Sequence, residues 1–214
     1  MTDLTAIDIL VEPDQTALTR AGAANERMRA HDPRSFTLDD RHRPHITLLQ
    51  RYVLTADLPA VFAAVEAVIQ SRTPSKLAFR ATGLRHMPVS ALPGLALAAI
   101  VVTPDPEVLD LQSALIMAVS PFAQPSGTAS AFVIGPDEPE INADTLNYVE
   151  RYVPDHIGPN FVAHLTIGLA PLDFLATIEA EVFDDFTFHP AGIAVFQLGN
   201  NGTAQRPLKR WITA

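Results

Sequence analysis

None of the 214 residues is cysteine. Disulfides, thiolate nucleophiles and thiolate metal sites are therefore excluded, and the absence fits a reducing compartment. Long hydrophobic runs are also missing. The longest aliphatic stretch, residues 95–102, is far too short to span a bilayer. Residues 1–11 lack a basic start followed by a long apolar run, so no secretory signal is expected and the default location is cytoplasmic. Positive charge is scarce, with 15 Lys and Arg against 24 Asp and Glu and a net charge of −9. Proteins that grip long nucleic acid by its phosphates carry a basic face. An acidic chain with a few local cations suits a small phosphorylated ligand better. No Gly-x-Ser-x-Gly elbow, Walker loop or Gly-x-Gly-x-x-Gly run is present. What remains is an ordinary globular composition, 48% hydrophobic and 18% charged, long enough for one large domain or two small lobes.

Within that composition one pattern occurs twice. His45-Ile46-Thr47 and His164-Leu165-Thr166 each lie in an apolar, β-prone run. On a strand, side chains at i and i+2 share a face, so each copy sets an imidazole beside a hydroxyl. Two such strands facing one cleft would supply an acid–base pair and hydrogen-bond donors for a phosphate.

The order of elements supports two related halves, about 1–90 and 91–214. In the first half, strands are expected at 6–11, 44–53 and 77–84. The helices lie at 14–30, capped by Asp14, and at 58–71, capped by Asp57 with Pro59 in the first turn. In the second, strands at 95–102, 161–169 and 193–198 enclose helices at 107–119 and 172–182. Each half thus reads strand, helix, motif strand, helix, strand. The second half carries an insertion, residues 120–160, rich in proline, with a short strand expected at 131–134 and a short helix at 143–152. Gly199-Asn200-Asn201-Gly202 signals a hairpin turn, and 207–212 would return as an edge strand.

Three further side chains near the first motif are candidate substrate contacts. Arg43 and Arg51 have the strand parity of His45 and Thr47, and Tyr52 offers a ring on which a base would stack. Phe161 is a second aromatic of that kind, with core packing the leading role. Arg206, Lys209 and Arg210 form the other basic cluster. His42 and His45 have His-x-x-His spacing, but Pro44 and the strand between them do not give a shared helical face, so no metal site is expected. His31, His86, His156 and His189 read as surface or loop residues.

The spaced pair of His-x-Thr motifs, with matching element order around both, resembles the two-histidine phosphoesterase superfamily, also called 2′-5′ RNA ligase-like or cyclic phosphodiesterase. Residues 195–200 (Val-Phe-Gln-Leu-Gly-Asn) are similar to bacterial members of that group. Ala163 departs from the proline that members often carry before the second histidine. The resemblance covers nearly the whole chain and implies a single α+β domain, 1–214. It would be bilobal, with two pseudo-two-fold-related, antiparallel-rich sheets, flanking helices and a central cleft. It also implies metal-independent opening of 2′,3′-cyclic phosphates, with no cofactor. His45, Thr47, His164 and Thr166 would be catalytic, His45 favoured as general acid and His164 as general base. The expected partners are a small cyclic phosphate or nucleotide, and RNA 3′ ends as a second class. Two alternatives stay open: an RNA 2′-5′ ligase or RNA-end processing enzyme, and a non-catalytic nucleotide-binding module.

Overall fold

The computed structural model describes residues 3–88, 93–103, 105–135 and 139–212. Nine strands form two antiparallel sheets among these residues, and five helices pack on them. Strand β1 (Leu4–Pro13) is followed by helix α1 (Gln15–His31), which Asp14 caps by accepting from the Ala17 amide. Strand β2 (Ile46–Leu54) carries the first motif, with His45 just ahead of it. A single 3-10 turn, Thr55–Asp57, leads into helix α2 (Leu58–Arg72), so Asp57 makes no cap bond, contrary to expectation. Strand β3 (Phe79–Pro88) starts and ends later than the apolar run 77–84 suggests. Then come β4 (Leu95–Thr103) and helix α3 (Pro106–Val119), capped by Asp105.

The insertion differs from expectation at one point. Its strand is β5 (Ala123–Gln124), and the predicted strand at 131–134 is instead the end of a 3-10 turn, Ala129–Ala131, and irregular chain. Its helix, α4 (Ala143–Asp155), is capped by Asn142. The second motif opens β6 (His164–Pro171), followed by helix α5 (Leu172–Glu179) and strands β7 (Phe186–Phe188), β8 (Pro190–Leu198) and β9 (Ala204–Ile212). Asn201 and Gly202, both at positive φ, make the tight turn between β8 and β9.

The larger sheet has the order β5-β2-β1-β8-β9 and the smaller β6-β4-β3-β7. Exchanging β1 with β4, β2 with β6 and β8 with β3 maps β2-β1-β8 onto β6-β4-β3. The pseudo-two-fold relation is therefore present in the strand order. The halves also exchange strands: β3 of the first joins the smaller sheet, and β5, β8 and β9 of the second join the larger, so each lobe is built from both halves. One face of each sheet, Ile7, Ile9 and Val11 in the larger and Ala96, Ala98, Ile100 and Val102 in the smaller, contributes to a shared core with Ala17, Val61, Val65, Leu111 and Leu115 from the helices.

Candidate active site

Each motif strand breaks its ladder at the same place. Opposite β1, Ile9 pairs with Leu49 and Leu10 with Thr47, which leaves Leu48 as a bulge. Opposite β4, Ala98 pairs with Gly168 and Ala99 with Thr166, which leaves Ile167 as a bulge. Both bulges directly follow the threonine, at equivalent positions. A bulge shifts the side-chain alternation by one residue and re-aims the strand.

In the larger sheet, this places Thr47 beside Leu10 and Gln50 beside Asp8, all on the face away from the shared core. Asp8 is fully buried. Its Oδ2 accepts from the Thr47 hydroxyl at 2.9 Å and from Gln50 Nε2 at 3.2 Å, and His45 Nε2 lies 3.6 Å away. Its Oδ1 has no partner among the described residues, so His45 is the counter-charge closest to this carboxylate. The Thr47 hydroxyl proton is thus committed to Asp8, where the sequence suggested a phosphate. In the smaller sheet, His164 lies opposite Val101 and Thr166 opposite Ala99.

The two imidazoles are held alike. His45 Nδ1 donates to the Arg43 carbonyl at 2.7 Å, and His164 Nδ1 donates to the Val162 carbonyl at 2.8 Å. In both, the acceptor is two residues upstream, so each ring is left with Nε2 for chemistry. Their environments push them apart. Burial lowers the His45 pKa, but the Asp8 carboxylate 3.6 Å from Nε2, with the bond to the Arg43 carbonyl, outweighs that, and the net shift is upward. Burial lowers the His164 pKa, and the positive charges of His45 and His156 lower it further, against the bond to Val162. Strands β2 and β6 approach within 8 Å between Cα atoms, and His45 stands near enough to His164 for its charge to act there.

A buried carboxamide from the opposite half holds each bulge. Asn25 of α1 donates to the carbonyl of Ile167, the bulged residue of β6, at 2.8 Å and to Phe36, in the loop ahead of β2, at 2.9 Å. Gln112 of α3 donates to the carbonyl of Leu48, the bulged residue of β2, at 3.1 Å and accepts from the Gly158 amide, ahead of β6, at 3.2 Å. A bulge leaves backbone groups without ladder partners, and these two side chains satisfy them.

The other candidates are placed differently. The bulge reverses parity beyond Leu48, so Arg51 pairs with Ile7 on the core side and not with the motif. Tyr52 regains the motif face but is buried against Phe132, with its hydroxyl donating to Leu146, so its ring is no stacking platform. Phe161 is buried in the core. Arg43 is ion-paired with Asp40 and lines a cavity of about 400 Å³ beside His45, floored by Leu10 and Phe196 and bordered by Glu12 and Asp39. Arg210, paired with Glu12 at 2.7 Å, lies over Phe196. His42 bonds Asp39, and among the described residues no three His, Asp or Glu side chains are grouped to hold a metal ion.

Sequence reasoning missed Asp8, Asn25, Gln112 and one face of α4. Tyr148, Tyr152 and His156, spaced by four, form that face; His156 stacks on Tyr148 at 4.5 Å and Tyr152 donates to the Thr47 carbonyl at 3.2 Å. Burial and the charge of Asp8 push the Tyr148 phenol up to about 12, so it stays a donor. His156 is therefore part of the site's surroundings and not a remote surface residue.

No family model and no curated protein matches the chain. Among solved structures, TT0787 of Thermus thermophilus aligns over 98% of this chain and 98% of its own, at 15% identity and a TM-score of 0.52. More remote likenesses, both at a TM-score of 0.45, are to Escherichia coli LigT complexed with 3′-AMP (11% identity, 98% of each chain) and to Kluyveromyces marxianus Usb1 (10% identity, 97% of each chain). At 15% identity, the likeness to TT0787 is one of fold.

Proposed function

We propose that this chain, whose fold is that of the two-histidine phosphoesterases, is a metal-independent cyclic phosphodiesterase that opens 2′,3′-cyclic phosphate ends of nucleotides or RNA. The observation that carries the reading is geometric: two imidazoles are anchored alike through Nδ1, but only His45 has a buried carboxylate, Asp8, 3.6 Å from its Nε2, which holds His45 up while burial holds His164 down. An acid–base pair needs one group protonated and the other neutral at the same pH.

His164 Nε2 takes a proton from water. The water oxygen forms a bond to phosphorus while the bond to one ribose oxygen breaks. His45 Nε2 gives its proton to that oxygen, and a phosphomonoester remains. Thr166 donates to a non-bridging oxygen, where charge builds. Thr47 serves through Asp8, which it holds beneath His45. The leaving ribose oxygen lies on the His45 side, where the cavity opens and Arg43 lines the wall.

The test is a panel of nucleoside 2′,3′-cyclic phosphates and RNA ends bearing them, assayed with EDTA present. Turnover is expected, and His45→Ala and His164→Ala should each lower it by roughly 10²-fold or more. Full turnover in either variant, or rescue of a chelator-stopped reaction by metal, would refute the mechanism. Binding without turnover would point to a nucleotide-binding module, and joining of a cyclic end to a 5′-hydroxyl would point to a ligase.

A further inference from the structure

The arginines that flank the first motif are engaged elsewhere. A phosphodiester brings one negative charge to a cleft that already holds Asp8, and both arginines suggested by the sequence are unsuited: Arg43 is tied to Asp40 and Arg51 faces the core side. Most other arginines are engaged as well. Arg20, Arg27, Arg34, Arg80, Arg151 and Arg210 each pair with a carboxylate.

Arg85 is different. It lies on β3, where its opposite residue on β4 is Ala99, and Ala99 has Thr166 opposite on β6. Residues directly opposite in antiparallel strands project from the same face. Thr166, Ala99 and Arg85 therefore form one row across the smaller sheet, on the motif face. Two strand spacings of about 4.8 Å put Arg85 roughly 10 Å from Thr166, backbone to backbone. The residue between them in the row is Ala99, a small, buried side chain. In the next row Gly83 stands opposite Val101 and so in line with His164, and the space where its Cβ would be is open. Arg85 is exposed, and its one hydrogen bond among the described residues is to the Leu84 carbonyl at 3.1 Å. It has no ion pair among the described residues.

We propose that Arg85 is the anion-binding residue of this site, gripping the phosphate from the side opposite His45. Thr166 and Arg85 approach a phosphate from two sides. Two hydrogen bonds of about 2.8 Å plus the width of the phosphate span most of the row. A guanidinium donates two parallel bonds to two phosphate oxygens, so it also orients the group for in-line attack. The charge of Arg85 offsets that of Asp8 and favours the product, a phosphomonoester dianion, over the monoanionic substrate.

This inference rests on the proposed function for its kinetic arm but not for its binding arm. Arg85→Gln and Arg85→Lys are exposed changes that leave the core untouched, and Arg80→Gln, on the same strand but paired with Asp185, is the control. For nucleoside 2′,3′-cyclic phosphate, Arg85→Gln should lower kcat/KM by roughly 10- to 100-fold with the pH profile unmoved. Arg85→Lys should recover part of that loss, and Arg80→Gln should behave as wild type. By calorimetry, a nucleoside 3′-monophosphate should bind Arg85→Gln at least tenfold more weakly than wild type. Wild-type turnover and binding in Arg85→Gln would overturn the assignment while leaving the two-histidine mechanism standing. No turnover by the wild type, with nucleotide binding that still depends on Arg85, would sink the mechanism and retain the anion site.

Discussion

At the scale of single residues, Asp8 is what sets the two histidines apart. Both rings are partly buried and both donate Nδ1 to a carbonyl, so these features do not separate them. The carboxylate near His45 Nε2 does. With His45 raised above its ordinary value near 6.5 and His164 lowered below it, activity rises as His164 loses its proton and falls as His45 loses its own. The pH profile of kcat/KM should therefore be a broad bell whose acid limb belongs to His164 and alkaline limb to His45. Asp8→Asn removes the nearby charge that holds His45 up, and burial then pushes it down. The alkaline limb should move to lower pH, the acid limb should move slightly up as His164 is relieved of the charge of His45, and the maximum should fall on the order of 10-fold. An alkaline limb that does not move would show that Asp8 has no such role. A sign of this residue was visible in the sequence, as the one carboxylate inside the apolar run of residues 6–11.

At the scale of elements, the paired bulges determine which side chains meet. The sequence displays the two motifs, the order of strands and helices around them and the cap at Asp14, because apolar period and capping chemistry are local. It does not display the bulges: Leu48 and Ile167 are ordinary strand formers, and a bulge is stabilised by partners far away in the chain, Gln112 and Asn25. Simple alternation therefore set Arg51 on the wrong face. Arg85 was illegible for a related reason, since its row depends on the order β6-β4-β3. The stripe Tyr148, Tyr152 and His156 was legible by its spacing, although a site role for it needs the packing of α4 on β2. Gly168 offers a test of how tightly helix α1 must approach the second bulge. A Cβ there would come within 2.7 Å of Met28 Sδ, 3.0 Å of Ser35 Oγ and 3.3 Å of Asn25 Nδ2. Gly168→Ala should cost about 1–3 kcal/mol in urea unfolding and lower turnover by displacing Asn25. Gly22→Ala, on an open face of the same helix, should instead stabilise by roughly 0.4–1 kcal/mol. Equal stabilities for the two variants would mean that the α1–β6 contact yields easily.

At the scale of the whole molecule, charge limits what the cleft can hold. The net charge is −9, and seven arginines are paired with carboxylates, so the surface presents little continuous positive field. No helix among the described residues is long and apolar enough to cross a membrane. A long RNA would have to run past a rim where Arg43 and Arg210 are already paired with Asp40 and Glu12, so each further phosphate would give up water there without gaining a free cation. A substrate with one or two phosphates avoids that cost. A nucleoside 2′,3′-cyclic phosphate should thus react with a kcat/KM comparable to that of an oligonucleotide ending in the same group. The salt dependence should be shallow. For one or two phosphates on a flexible strand, the slope of log K against log salt is roughly −0.7 to −1.4, so binding should weaken by less than about tenfold between 50 and 200 mM. Removing Arg85 should flatten even that slope, by about one phosphate's share, whereas Arg34→Gln should leave it unchanged, because Arg34 is committed to Asp32 in the loop after α1. An oligonucleotide that binds far more tightly than the mononucleotide, with a slope several times steeper, would instead require a cationic track along the cleft and would shift the reading from a nucleotide hydrolase to an RNA-end processing enzyme.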